Sequence, residues 1–223
     1  MTKKLFIQAI GKFIFGVILL GVLVFVPAGT INYPNGWLLI TVLFFPMFVA
    51  GLVMMFKNPE LLKKRLNAKE EEKEQKTVVA LSGAMFATAF VAAGLSFRFK
   101  WLVLPKWAVM IGTIVFLFAY AMYAEVLREN TYLSRTVEVQ ENQKVIDTGL
   151  YGIVRHPMYS ATLFLFLSMG IILGSLISFA ILLLYIPIIA KRIKNEEKVL
   201  EEGLERYSEY KTRVKYKVIP FVW

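Results

Sequence analysis

Residues 158–190 read MYSATLFLFLSMGIILGSLISFAILLLYIPIIA and carry no charged side chain. A bilayer-spanning helix needs roughly 20 mostly apolar residues, because the hydrocarbon core is ~30 Å thick and a helix rises ~1.5 Å per residue. This stretch is too long for one such span, and Gly170, Gly174 and Ser175 interrupt it near its middle. The reading that fits is a tight helical hairpin of two short spans. Gly170 and Gly174 also have the small-xxx-small spacing that lets helices approach closely. It is read here as close packing and turn freedom within the hairpin.

Upstream of the hairpin, four further apolar runs are each long enough to span. Residues 5–26 hold Lys12 as their one charge. Pro34-Asn35-Gly36 is a turn signal, after which Trp37 opens a run to Phe56. The third covers 78–97, and the fourth starts near Pro105 and reaches about Tyr123. The basic start resembles a signal peptide, but its apolar run is too long and no small-residue cleavage site follows, so it is read as a retained span. Over the 223 residues, 57% are hydrophobic and 19% charged, against about half and a quarter in soluble domains. The expected class is an all-α polytopic membrane protein with about four full spans plus the carboxyl-terminal helical hairpin. No internal repeat is evident.

Charge sets the expected orientation. Lys3, Lys4 and Lys12 open the first span, and residues 57–76 contain Lys57, Lys63, Lys64, Arg65, Lys69, Lys73 and Lys76. The connection 27–36 has no charge, and the one after the third run offers only Arg98, Lys100 and Lys106. Short basic loops stay in the cytoplasm. Both termini are therefore expected inside, with an even number of crossings, in the plasma or inner membrane of a prokaryote. The net charge of +10 then reflects cytoplasmic loops facing a lipid bilayer rather than nucleic-acid binding. With no cysteine and one histidine, His156, disulfides, thiolate nucleophiles and a multi-histidine metal site are not expected. The run 69–76 reads as a solvated helix or loop.

Two polar segments bracket the hairpin: EVLRENTYLSRTVEVQENQKVIDTGLYGIVRHPMY (125–159) and KRIKNEEKVLEEGLERYSEYKTRVKYKVIPFVW (191–223). A hairpin returns both to one membrane face, where they can build a shared site. Arg155-His156-Pro157 precedes an apolar helix whose first position suits proline. The free N–H groups and positive dipole end beside Arg155 and His156 suit a carboxylate or phosphate; anchoring of a helix end at the headgroups is the alternative. Asp147-Thr148-Gly149 reads as a turn. Arg192 and Glu196 share a helical face, with Glu197 beside them; an ordinary surface ion pair is the plain reading. Val199, Leu200, Leu204, Tyr207 and Val214 recur at helical spacing, as in an amphipathic helix lying in the interface or on the bundle. Tyr207 and Tyr210 read as interface packing rather than ligand stacking. No GxGxxG, P-loop, GxSxG or HExxH occurs.

SRTVEVQ, VIDTGLY, RHPMY, the glycine-broken hairpin, R-x-x-x-EE-x-x-L and Y-x-x-Y follow one another over residues 130–220. In this order the sequence resembles the isoprenylcysteine carboxyl methyltransferase family, with its bacterial and archaeal relatives and the phospholipid methyltransferases. The resemblance implies a non-Rossmann cytosolic pocket for S-adenosylmethionine, built by the two polar segments, and a methyl acceptor arriving from the membrane. The implied cofactor contacts are Gln140, Gln143, Lys144, Val145, Ile146, Tyr151, His156, Pro157, Met158, Tyr159 and Glu196; Arg155 and Glu197 join them as neighbours. Arg192 would face the acceptor, and Arg192 with Glu196 would be the catalytic pair. Gln143 stands where family members often have histidine, and the amino-terminal half matches only as hydrophobic spans.

The chain divides accordingly into spans one to four over 1–127, with a cytoplasmic loop at 57–77, and a catalytic region over 128–223. The latter comprises a cofactor segment (128–159), the hairpin (158–190) and an amphipathic helix (191–223). Methyl transfer from a sulfonium mainly requires alignment and exclusion of water. A carboxylate acceptor needs no base, whereas a protonated amine must lose a proton. Carboxyl methylation of an isoprenylcysteine-like, prenylated or other lipophilic acceptor is therefore the favoured expectation. An amine or phospholipid methyltransferase, a sterol-type nicotinamide reductase and a small transporter are the alternatives.

Overall fold

The computed structural model describes residues 3–66, 73–133 and 139–223. Residues 134–138 of the SRTVEVQ element and 69–72 of the charged run lie outside the described residues. Most of the described residues are helical: α1 (Lys3–Ala28), α2 (Pro34–Lys57), α3 (Pro59–Leu66), α4 (Lys73–Phe99), α5 (Lys106–Glu129), α6 (Pro157–Ile172), α7 (Leu176–Leu182), α8 (Tyr185–Gly203) and α9 (Tyr207–Arg213). Among the described residues there is no strand, only an isolated bridge between Val103 and Ser175. Among the described residues, five helical stretches are long and apolar enough to cross a membrane, the fifth formed by α7 and α8 together over Leu176–Gly203. The chain is an integral multi-pass membrane protein.

Two boundaries differ from the sequence expectation. Pro34-Asn35-Gly36 is the first turn of α2 rather than a turn before it, since proline at the first helical position gives up only an N–H that has no helical partner. The helix expected over 191–223 begins at Tyr185 and ends at Gly203. Arg206, with φ of 64°, then reverses the chain, and α9 follows, ending at Arg213. The second arm of the hairpin is therefore one long kinked path into the polar end rather than a short span followed by a separate helix.

Close packing depends on glycines at the crossings. A Cβ on Gly94 of α4 would lie 2.5 Å from the Val24 carbonyl oxygen of α1, and one on Gly170 of α6 would lie 2.5 Å from the Phe179 backbone nitrogen of α7. Small residues let helix backbones touch where lipid offers no hydrophobic drive for association. Gly174 turns the hairpin with φ of 70°, a conformation glycine adopts without strain. The spacing of Gly170 and Gly174 thus serves packing inside the chain.

The bundle has two unlike ends. At one, the three connections 29–33, 100–105 and 173–175 interlock. Leu104 N–H donates to the Gly174 carbonyl at 2.8 Å, Leu176 N–H to Leu102 at 3.1 Å, and the buried Tyr33 hydroxyl to Leu173. Trp37, Trp101 and Trp107 are exposed there or nearby, as in an interfacial aromatic belt. At the other end, Lys12 Nζ reaches the Leu66 carbonyl at 2.5 Å and Arg65 donates to the Tyr123 hydroxyl, docking α3 against α1 and α5. The described parts of both polar segments gather at this second end.

Gly170→Ala should lower the melting temperature in detergent by the equivalent of about 1–3 kcal/mol, the usual cost of overpacking. Gly83→Ala in α4, where a Cβ would meet nothing within 4 Å, should cause no loss. Equal behaviour of the two variants would refute the packing role of Gly170.

Candidate functional site

The start of α6 is the anchor of the polar end. Arg155 N–H donates to the Tyr216 carbonyl at 2.9 Å, His156 N–H to Lys217 at 2.8 Å, and Ser160 Oγ to Val218 at 2.6 Å. The last segment of the chain thus lies alongside Arg155-His156-Pro157. The backbone N–H groups of Arg155 and His156 are thus paired within the protein.

Arg155 is buried, 6% exposed. Its Nε donates to Glu197 Oε1 at 2.8 Å, and its Nη1 to the Val214 and Lys215 carbonyls at 2.7 and 2.8 Å. Glu197, 5% exposed, also meets His156 Nε2 at 3.3 Å and Lys217 Nζ at 3.2 Å. A buried carboxylate is costly to take from water, and three cationic or hydrogen-bonding partners offset that cost here.

Glu196, one residue earlier, points elsewhere. Arg192 Nε donates to the Tyr159 hydroxyl at 3.0 Å, and that hydroxyl donates to Glu196 Oε2. His156 Nδ1 lies 4.0 Å from Glu196 Oε1. Arg192, Tyr159, Glu196 and His156 form one charged cluster where α8 leaves the apolar bundle. Arg192 and Glu196 share a helical face, as their spacing requires, but Tyr159 stands between them and makes more of the pair than an exposed ion pair.

These side chains open on a pocket. One wall is the loop after α5, with Asn130, Tyr132 and Leu133. A second is the stretch Gln143, Lys144, Val145 and Ile146 with Tyr151. Arg155, His156, Met158 and Tyr159 contribute the start of α6, and Arg192, Glu196, Val199 and Leu200 the polar part of α8. Leu204, Tyr207 and Tyr210 complete it.

Of the residues singled out by sequence, Gln140, Pro157 and Glu197 do not line the pocket. Gln140 braces it: its N–H donates to Gln143 Oε1 at 2.9 Å and its side-chain amide donates to the Tyr132 carbonyl. Pro157 is fully buried at the helix start, and Glu197 sits behind the wall as the partner of Arg155.

Sequence reasoning missed Asn130, Tyr132, Leu133, Val199, Leu200, Leu204, Tyr207 and Tyr210 as pocket residues. For the last five a signal existed. The helical recurrence of Leu200, Leu204 and Tyr207 marks an apolar face, but that face packs in a cluster with Tyr210, Val214, Val139 and Val145 rather than on the bilayer interface. Asn130 Nδ2 donates to the Tyr151 hydroxyl at 2.9 Å, and the Tyr210 hydroxyl to the Tyr151 carbonyl at 2.8 Å. Burial pushes the Tyr151 hydroxyl up to about 12 and those of Tyr207 and Tyr210 well above their ordinary range. These pocket hydroxyls therefore stay protonated and neutral.

The turn before α6 is held from beneath. Thr148 Oγ1 donates to Glu129 Oε1 at 2.7 Å, and Gly149, at φ of 51°, lies so close to that carboxylate that a Cβ would be 2.3 Å from Oε2. Only glycine fits both the backbone angle and the contact.

Arg155→Ala would leave Glu197 buried without its main partner, and should destabilise the protein by about 3–5 kcal/mol in detergent unfolding. Arg128→Ala, which breaks an exposed i,i+3 pair with Glu125, should cause no measurable change. A silent Arg155→Ala variant would overturn the anchoring role.

Residues 109–202, from α5 through most of α8, match the model of the isoprenylcysteine carboxyl methyltransferase family. No curated protein matches the chain. The matched segment carries most of the pocket walls and the whole charged cluster. The match covers less than half of the chain, and together with the membrane-spanning helices it supports a membrane methyltransferase.

Proposed function

We propose that the protein transfers a methyl group from S-adenosylmethionine to the carboxylate of a lipophilic, isoprenylcysteine-like acceptor. The observation that carries this reading is the position of the charged cluster. Arg192, Tyr159 and Glu196 lie where the apolar hairpin gives way to the polar pocket, so an acceptor with an apolar tail and a polar head has both environments at one place.

The pocket residues fit the cofactor. Glu196, whose side chain is 24% exposed, provides a carboxylate for an ammonium group. Val145, Leu200 and Leu204 beside Tyr151 provide an apolar and aromatic wall suited to a nucleoside. S-adenosylmethionine supplies a methyl group on a sulfonium, which needs alignment rather than acid chemistry at the acceptor. In this reading Glu196 orients the cofactor's amino group and Tyr159 holds the Glu196 carboxylate in place. The Arg192 guanidinium fork grips the acceptor carboxylate in bidentate fashion and leaves one oxygen facing the methyl group, while the apolar wall excludes water. Gln143 to Ile146 and Met158 complete the cofactor side, with His156 fixed against the two glutamates. Glu197 supports the site from behind by holding Arg155 in the pocket wall.

The cytoplasmic side is assigned to the pocket end on charge. Lys63, Arg65, Lys191, Arg192, Lys194 and Lys198 cluster toward it, whereas the connection 27–36 at the other end has no charge, and short basic loops remain inside.

The purified protein should bind S-adenosylmethionine. Arg192→Lys should cut methyl transfer strongly while leaving cofactor affinity near the wild-type value, because lysine cannot reproduce the fork. Full turnover by Arg192→Lys on every acceptor tested would sink the carboxylate reading and favour an amine acceptor. A reporter fused after residue 223 should read as cytoplasmic, and an extracytoplasmic signal would reverse the assigned side.

A further inference from the structure

The pocket is rich in tyrosines, and the protein satisfies all of their hydroxyls but one. The Tyr132 hydroxyl donates to the Asn142 carbonyl at 3.2 Å, Tyr159 to Glu196, and Tyr210 to the Tyr151 carbonyl at 2.8 Å. The Tyr151 hydroxyl accepts from Asn130 at 2.9 Å. Tyr207 is the exception. Its side chain is 4% exposed, and among the described residues its buried hydroxyl has no hydrogen-bond partner. Roughly 90% or more of buried polar groups are paired, because an unpaired one bears the whole cost of leaving water. A tyrosine kept only for packing would be served as well by phenylalanine.

The surroundings say what the hydroxyl is for. The Tyr207 ring packs with Leu204, Tyr210 and Val214, and the residue lines the pocket together with Glu196 and Arg155, whose charges bear on its hydroxyl. It therefore stands toward the charged side of the pocket, protonated and able to donate. Two neighbouring sources of anion donors are engaged within the protein. Arg155 is held by Glu197 and the Val214 and Lys215 carbonyls, and the N–H groups of Arg155 and His156 by Tyr216 and Lys217.

We infer that the Tyr207 hydroxyl is a ligand-binding group that donates a hydrogen bond to the α-carboxylate of the cofactor, an inference resting on the S-adenosylmethionine reading above. Glu196, on the same side, accepts from the neighbouring ammonium, so the two residues read opposite charges of one amino-acid head. The apolar and aromatic wall is left for the nucleoside.

The test compares binding of S-adenosylhomocysteine and of 5′-methylthioadenosine, which keeps the nucleoside and sulfur but lacks the amino acid. Affinities are measured by calorimetry in detergent for wild type and Tyr207→Phe, with melting temperatures of the ligand-free proteins. Tyr207→Phe should weaken S-adenosylhomocysteine about tenfold, the scale of one hydrogen bond to a charged group, and leave 5′-methylthioadenosine unchanged. Its ligand-free melting temperature should not fall, since no protein hydrogen bond is lost. Tyr210→Phe, which loses the bond to the Tyr151 carbonyl, should melt lower. Unchanged S-adenosylhomocysteine affinity in Tyr207→Phe, or an equal loss for both ligands, overturns the inference while wild-type binding upholds the functional reading. Failure of the wild type to bind S-adenosylhomocysteine overturns both.

Discussion

A guanidinium and a carboxylate, both out of reach of water, join three stretches of chain that are distant in sequence. Arg155 precedes α6, Glu197 belongs to α8, and the carbonyls of Val214 and Lys215 come from the segment after α9. Breaking any one of these connections would leave charge or carbonyl oxygen unpaired in a low-dielectric interior, where it is most costly. The pair therefore fixes the relative placement of the pocket walls that α6, α8 and the end of the chain provide. Its cost in desolvation is returned as position rather than as net stability.

That arrangement also separates two neighbouring glutamates by task. Residues 196 and 197 are consecutive on a helix, so their side chains diverge by about 100°, the angle implied by 3.6 residues per turn. Glu197 turns inward to Arg155, His156 and Lys217, and Glu196 turns to Tyr159 at the pocket. One charge holds the wall and the other is left for whatever enters.

The spans were legible in the sequence because a long uncharged run has few alternatives, and the hairpin because Gly170, Gly174 and Ser175 mark where it turns. The return of both polar segments to one end followed from the same count of crossings. Less of the pocket could be read. Apolar periodicity in Leu200, Leu204 and Tyr207 says that a face is buried, but lipid, interface and protein wall are equally acceptable to it. The reversal at Arg206 uses a positive φ at a residue that is not glycine, so no composition signal announces it. The engagement of Arg155 by distant carbonyls arises from tertiary contact alone, and local spacing could only offer that arginine to an outside anion.

The shortness of α6 has a consequence for how the bundle fills the bilayer. Its 16 residues rise about 24 Å, some 6 Å less than the ~30 Å hydrocarbon core. A short span facing lipid would thin the bilayer or draw polar groups inward beside it. The start of α6 is instead covered by its own chain, with Pro157, Tyr159, Ser160 and Ala161 buried, so protein rather than lipid occupies the missing length.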